Sequence, residues 1–150
     1  MEEKYINLEN AMHSLENALE DFELDLELDL TKDEVNANNW VNLASLNTDA
    51  FFSFSVFENG FGIFTIFLNN IQNTLENLEK INQFNKNGLY FRAYISDEEE
   101  VVLEHSVPFI PEDCVYDYTC HLLGHVFGDT FINSLAPIVA LSYDPEQPLS

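Results

Sequence analysis

The stretch from Phe22 to Leu30 reads Phe-Glu-Leu-Asp-Leu-Glu-Leu-Asp-Leu, so apolar and acidic residues alternate without exception. A period of two is typical of a β-strand with one buried face and one solvated face. The pattern therefore predicts a strand over 22–30 that directs carboxylates of one sign to the same side. These carboxylates belong to Glu23, Asp25, Glu27 and Asp29.

Composition limits both the size of the protein and its partners. The chain has 150 residues, 46% of them hydrophobic, which suits a single domain over 1–141 with a loose C-terminal tail over 142–150. It carries 27 acidic and 5 basic residues, and its formal net charge is −22. Such a surface repels nucleic acid and anionic membranes and attracts cationic proteins. We therefore expect a protein partner with a basic surface, no direct binding to nucleic acid and no binding to membranes.

Targeting and cysteine signals indicate a cytoplasmic protein. The N-terminus reads Met-Glu-Glu-Lys-Tyr, which is not a signal peptide, and no apolar run approaches the roughly 20 residues of a membrane span. On a helix, the separation of Cys114 and Cys120 turns their side chains about 120° apart, a poor geometry for a disulfide. Both are expected to be reduced thiols, as in a cytosolic protein.

Helical and extended patterns alternate along the chain. The predicted elements are a helix over 5–21, strands over 22–30, 50–57 and 61–68, a helix over 69–86, strands over 89–96 and 100–109, and a helix from Pro111 to about Leu135, before Pro137. The Asn-rich segment 31–48 is interpreted as an irregular connection. The order α-β-β-β-α-β-β-α predicts an antiparallel sheet with helices packed on it, an α+β fold.

The clearest hairpin surrounds Glu58-Asn59-Gly60, since Asn and Gly tolerate positive φ. Its strands are apolar on both faces, which predicts that both faces are covered. One alternating set comprises Phe52, Phe54, Val56, Phe61, Ile63, Thr65 and Phe67. The other set is predicted to form an apolar groove or dimer interface, and it comprises Phe51, Phe57, Phe64 and Ile66.

One stretch of the chain resembles a known family. Ile81-Asn82-Gln83-Phe84-Asn85 is similar to the V-N-x-W-N helix end of the YbjN-like family, in which a strand, an acidic turn, a second strand and a long helix follow. The matching segments here are 91–95, 96–99, 101–109 and the helix after Pro111. YbjN-like domains share the fold of class I type III secretion chaperones, which are small, acidic, usually dimeric and non-enzymatic. The resemblance thus implies a homodimer that holds an extended segment of a client protein.

Other candidate sites have ordinary structural interpretations. Asp117, His121, His125 and Asp129 recur every four residues, and two His at this spacing can share a metal. The stripe lies opposite the apolar side of its helix, so a solvated helix face is favoured and no metal site is predicted. The acidic turn is interpreted either as a charged hairpin tip or as part of an anionic docking surface with the strand 22–30, and it comprises Asp97, Glu98, Glu99 and Glu100.

These observations predict a non-enzymatic, acidic protein-binding domain of the chaperone or adaptor type, with no catalytic residues and no cofactor. The alternative is a nucleic-acid mimic or immunity-type inhibitor. Such a protein would place its carboxylates in the basic site of a nuclease or another nucleic-acid-binding protein. Its association would be fast and sensitive to salt because of electrostatic steering.

Overall fold

Residues 5–87 and 90–142 are described by the computed structural model, and they form a six-stranded antiparallel sheet and four α-helices. The strands are β1 (Glu27–Leu30), β2 (Glu34–Leu43), β3 (Thr48–Phe57), β4 (Gly62–Asn70), β5 (Arg92–Ile95) and β6 (Glu100–Val107). The helices are α1 (Leu8–Asp21), α2 (Leu75–Lys86), α3 (Val115–Val126) and α4 (Asp129–Val139), with 3₁₀ turns at Ala44–Leu46 and Glu112–Cys114. The predicted α+β class is confirmed, with one more strand and one more helix than expected.

Some predicted segments fall beyond the described part of the chain. The predicted tail over 142–150 lies outside the described residues except for Ser142. The predicted start of a strand at Leu89 lies outside them as well.

The strand order β1-β2-β3-β4-β6-β5 gives the sheet two different faces. The core face packs against the helices, and all the sheet side chains in the main hydrophobic core belong to it, among them Val35, Phe52, Phe54, Phe64 and Leu103. The open face carries the alternate side chains of the same strands. Because successive side chains of a strand point to opposite faces, the register of the ladder decides which residues meet on each face.

The predicted irregular connection over 31–48 is wrong for most of its length, since Glu34–Leu43 is a strand. Every second residue of this strand is buried except Asn39, and the buried residues are Val35, Ala37, Val41 and Leu43. Asn is depleted in strands, and this weak propensity concealed the period of two. Strand pairing on both sides, with β1 and β3, overrides that propensity.

The strand predicted over 22–30 is shorter than expected and begins at Glu27. Glu23 adopts a left-handed conformation with φ 56°, and its N–H donates to the Glu20 carbonyl at 3.0 Å. The Leu24 N–H donates to the Leu19 carbonyl at 2.9 Å. This pair of bonds is the Schellman ending of a helix, and it occupies the residues that a longer strand would need. The predicted sidedness holds from Asp25 to Asp29, because Leu26 is buried and Leu28 half-buried while the three carboxylates are exposed. It does not extend to Leu30, which is 37% exposed.

The last predicted helix is two helices joined at Phe127 and Gly128. Gly128 is extended, with φ −78° and ψ 154°, and α4 starts directly after it. Pro137 lies inside α4, although the sequence predicted that the helix would end before it. The proline falls in the last turn and has no N–H, so the Asn133 carbonyl does not receive the usual helical hydrogen bond from position 137. Asn133 lines an open surface groove between α2 and α4.

Within the described residues, no single helix is long and apolar enough to cross a membrane. The segments Glu112–Val126 and Asp129–Val139 reach that length and composition only as a pair bent by 54°. The apolar side chains of this pair that are buried form part of the core, for example Leu122, Leu123 and Phe131.

Candidate functional site

Five register partners form a continuous line across the open face of the sheet. Trp40 of β2 pairs with Phe51, Phe51 with Phe67, Phe67 with Val102, and Val102 with Tyr94 of β5. We call these five residues the aromatic row. Strands lie about 4.8 Å apart, so the row spans roughly 19 Å from Trp40 to Tyr94.

The aromatic row is packed ring to ring from Trp40 to Phe67 and is open to solvent at both ends. The ring centroids of Trp40 and Phe51 are 5.4 Å apart, and those of Phe51 and Phe67 are 6.2 Å apart. Trp40 is 61% exposed and Tyr94 is 40% exposed, whereas Val102, which lies between Phe67 and Tyr94 in the row, is only 2% exposed. Burial and the Glu104 carboxylate raise the pKa of Tyr94, so its phenol stays neutral at physiological pH. A preformed apolar surface of this kind needs little reordering before a partner can bind.

A hydrogen-bonded cluster of short polar side chains lies next to the aromatic row. The Asn36 amide donates to the Ser55 hydroxyl at 2.7 Å and to the Ser53 hydroxyl at 3.3 Å. The Asn38 amide donates to the Asn36 side-chain oxygen. These contacts satisfy the Asn side chains of β2 without a covering element, which explains why an Asn-rich strand is stable at this position.

Two of the four residues predicted to form an apolar groove lie on the open face. Phe51 belongs to the aromatic row, and Phe57 lies beside Phe61 at the hairpin end, with ring centroids 5.9 Å apart. Phe64 and Ile66 are buried in the core, with 2% and 1% of their surfaces exposed, so their assignment to the groove is wrong.

The error in the groove lies in which residues were placed on the same face, since the loop itself is the predicted Glu58-Asn59-Gly60. Phe57 donates to the Phe61 carbonyl at 2.8 Å, and Gly60 has φ 88°, which gives a three-residue loop. A loop with an odd number of residues pairs even-numbered residues with even-numbered residues, as in Phe54–Phe64. The predicted groove instead placed the odd-numbered Phe51 and Phe57 on one face with the even-numbered Phe64 and Ile66.

The predicted acidic surface is divided into two groups at opposite edges of the sheet. Asp25, Glu27 and Asp29 are exposed along β1 and the segment that precedes it. The acidic turn lies between β5 and β6, and the sheet order places β2, β3, β4 and β6 between β1 and β5. The two edges are therefore separated by about 24 Å, so the two groups cannot contact one compact ligand together.

The acidic turn has structural contacts of its own. Glu99 has φ 59°, and its carboxylate accepts from the Asn73 N–H at 2.8 Å. Partial burial, with a smaller contribution from Glu98, raises the pKa of Glu100. Asp97 and Glu98 remain exposed. This turn is thus tied to the connection between β4 and α2.

Carboxylates also surround the aromatic row itself. The Asn39 amide donates to the Asp25 carbonyl at 2.9 Å, which holds Asp25 beside the part of β2 that carries Trp40. The next line of register partners on one side runs from Glu27 through Ser53 to Glu104 and ends at Arg92. On the other side, Asp49 accepts from the Asn42 amide at 2.9 Å. The open face is therefore an apolar strip with a mostly anionic rim.

The histidine stripe is part of an aromatic cluster. Among the described residues, no group of three His, Cys, Asp or Glu side chains has a geometry that could hold a metal ion. The Tyr90 ring lies between His105, His121 and His125, with ring centroids 6.4, 5.8 and 5.0 Å away. His105 Nδ1 also lies 2.8 Å from the Tyr90 carbonyl oxygen.

The open face was visible in the sequence only in part. The alternation of Phe51 and Phe57 with core residues indicated an apolar second face, but Trp40, Phe67 and Tyr94 were not assigned to a site. Trp40 was missed because its strand was missed. Tyr94 was missed because the pairing of β6 with β4, which joins its hairpin to the aromatic row, links segments far apart in sequence. No family model matches the chain, and a search of curated proteins finds no match either. The resemblance to YbjN-like domains therefore stays a prediction.

Proposed function

We propose that the protein is a non-enzymatic binding domain, of the chaperone or adaptor type, that holds a basic protein partner on the open face of its sheet. The observation that carries this proposal is the aromatic row, whose ends are solvent-exposed while the helices cover the other face. Large aromatic side chains at the centre of a surface supply most of the binding energy at protein interfaces. The anionic rim and the net charge of −22 favour a partner with Lys and Arg.

The proposal is tested by capture from lysate with paired variants. Trp40→Ser shortens the aromatic row, and Leu75→Ser is the matched control because Leu75 is a 76% exposed apolar residue on α2. A basic protein retained by the wild type and by Leu75→Ser, but lost with Trp40→Ser, is the expected result. A partner that both variants retain equally would place binding elsewhere and contradict the proposal. Circular dichroism of each variant verifies that the fold is unchanged.

A second candidate function is the occupation of a basic nucleic-acid-binding site, and it draws on the exposed carboxylates along β1. Asp25, Glu27 and Asp29 repeat at every second residue, and for Glu27 and Asp29, which lie in β1, this spacing is about 7 Å. Under this alternative, the combined change Asp25→Asn, Glu27→Gln and Asp29→Asn abolishes binding to a nuclease or repressor, while Trp40→Ser does not. The opposite pattern favours the aromatic row.

A further inference from the structure

The open face has the shape of a strip rather than a pocket, and this limits what can occupy it. The aromatic row is about 19 Å long, and the neighbouring lines of side chains on the same face lie about 7 Å to either side. Those neighbouring lines are polar, with Ser53, Thr65 and Glu104 on one side and Asp49 on the other. A ligand that matches the strip is therefore narrow, elongated and apolar along one side only.

Backbone hydrogen bonding decides between a helical and an extended occupant. The N–H and C=O groups of a strand lie in the plane of the sheet, where β3, β4 and β6 each lie between two partner strands, as β2 does over Val35–Asn38. Farther along β2, the Trp40 N–H donates to the Asn39 side-chain oxygen at 2.8 Å. An extended peptide lying on the face would find no backbone partners, and its own buried polar groups would be unsatisfied. Extended peptides add instead to an exposed edge strand. A helix satisfies its own backbone groups and can lie on the face without this cost.

The dimensions of a helix fit the aromatic row. At 1.5 Å per residue, a helix of about 13 residues covers the roughly 19 Å between Trp40 and Tyr94. Its diameter of about 10 Å brings the residues that flank its apolar stripe over the neighbouring polar lines. There they meet Glu27 and Glu104 on one side and Asp49 on the other. Lys and Arg on both flanks are complementary to these carboxylates.

We infer that the occupant of the open face is a basic amphipathic helix of three to four turns in the partner protein, lying along the aromatic row. This inference rests on the proposed function and specifies the class of partner. Charge argues against a second copy of the chain, because the same carboxylates would then face each other across the interface. It argues equally against an anionic membrane surface.

The test uses Trp40 as its reporter, because it is the one tryptophan in the sequence and forms an end of the aromatic row. Three tryptophan-free peptides, each about 14 residues long to match the length of the row, share one composition of Leu, Lys and Arg. The first places Leu at helical spacing, the second alternates Leu with basic residues, and the third is scrambled. We expect the helical peptide to shift Trp40 emission to shorter wavelength with saturable one-to-one binding, and to gain helical circular dichroism when bound. The other two peptides should bind at least about tenfold more weakly.

Variants at the far end of the row measure the length of the contact. Tyr94→Ser leaves the reporter intact and lies about 19 Å from it, so a helix that spans the row should bind this variant about tenfold more weakly. A peptide of half the length should bind weakly and should not distinguish Tyr94→Ser from the wild type. Leu75→Ser should bind the long peptide like the wild type. Phe67→Ser tests the middle of the row, provided that its circular dichroism is native.

The outcomes separate the two proposals. The helical occupant is overturned if the alternating peptide binds as tightly as the helical peptide or more tightly. It is also overturned if neither Tyr94→Ser nor Phe67→Ser weakens the binding of the helical peptide. If none of the three peptides binds but a captured lysate protein still depends on Trp40, the proposed function stands and the helical occupant does not. If neither peptides nor captured proteins depend on the row, the proposed function itself falls.

Discussion

Glu23 is a residue at which the backbone and the side chain have opposing preferences. It ends α1 in a left-handed conformation with φ 56°, a position where helices usually have Gly. A side chain with a Cβ costs on the order of 1 kcal/mol there. The alternating pattern that made Glu23 part of a predicted strand gives no sign of this conformation, because the pattern reports which side is buried and not the backbone angle.

Replacement of Glu23 is expected to stabilise the fold. Glu23→Gly should raise the free energy of unfolding by about 0.5–1 kcal/mol, since Gly adopts positive φ without steric cost. Glu23→Gln is the control, because it removes the same charge and keeps the Cβ. Urea unfolding followed by circular dichroism measures both. If the Gln variant is stabilised as much as the Gly variant, the strain at Glu23 is not the cause.

Two glycines are expected to respond to alanine in opposite directions. Gly60 has φ 88°, and a Cβ placed there would overlap the Phe109 ring. Gly124 lies within α3, where the nearest atom to an added Cβ is at 3.9 Å, on Phe22. Gly60→Ala should therefore destabilise by more than about 1 kcal/mol, and Gly124→Ala should stabilise by about 0.5–1 kcal/mol. Chemical unfolding of the two variants measures both changes, and a shift of the same sign in both would contradict the prediction.

Among the elements, β2 combines the burial pattern of a strand with the composition of a loop. Burial of Val35, Ala37, Val41 and Leu43 follows a period of two that is present in the sequence. The competing signal was the run of Asn residues, which is typical of loops when no partner strand is considered. Only the pairing with β1 and β3 and the Ser partners of Asn36 make the strand stable. Those contacts come from distant segments, so local pattern alone could not supply them.

The start of α1 is joined to the loop before α3 by a single carboxylate. Glu112 accepts from the Asn7 N–H at 2.6 Å and from the Asn10 side-chain amide at 3.0 Å. These hydrogen bonds, first from the Asn10 side chain and then from the Asn7 backbone, hold the pKa of Glu112 below its ordinary value of 4.5. A negative charge at the N-terminus of a helix also interacts favourably with the positive end of the helix dipole.

The carboxylate contact predicts a dependence on pH with a definite sign. A lowered folded pKa means that the contribution is full above about pH 4.5 and is lost as the pH falls through the folded pKa. Glu112→Gln should thus be less stable than the wild type at neutral pH, and the difference should shrink as the solution is acidified. Asp113→Asn removes the same charge one residue away and should cost less at neutral pH. A Glu112→Gln deficit that persists unchanged in acid, below the folded pKa, would exclude the charge as its origin.

At the scale of the whole molecule, composition indicated the general nature of the surface but not its layout. The net charge of −22 follows directly from the sequence and favours a cationic partner. The division of the carboxylates between two sheet edges depends on the strand order, in which β1 and β5 are outermost. The aromatic row likewise depends on the registers of β2 to β6, which are set by contacts far apart in sequence. Fold class was therefore predictable, while the continuous site was not.

The net charge should also make stability depend on salt. With 27 acidic against 5 basic residues, repulsion among exposed carboxylates opposes the compact state. Screening shortens from about 30 Å at 0.01 M salt to about 3 Å at 1 M. The free energy of unfolding should thus rise, by on the order of 1 kcal/mol, between about 0.01 and 0.5 M NaCl. Sucrose of equal osmolality is the control for non-ionic effects, and stability that falls with salt would contradict this view.

Salt should affect self-association and partner binding in opposite directions. Two copies meeting through their open faces bring Glu27, Asp49 and Glu104 of each chain toward the same groups of the other, so added salt relieves repulsion and strengthens a homodimer. A basic partner loses attraction under the same conditions.

Sedimentation velocity at about 0.05 and 0.5 M NaCl measures self-association, and Trp40 emission with the helical peptide measures partner binding. We expect the peptide to bind at least about tenfold more weakly at the higher salt concentration, while any dimer becomes more populated. A peptide affinity that does not change with salt would mean that the carboxylates around the row do not contribute to recognition, and the partner would then be selected by the aromatic row alone.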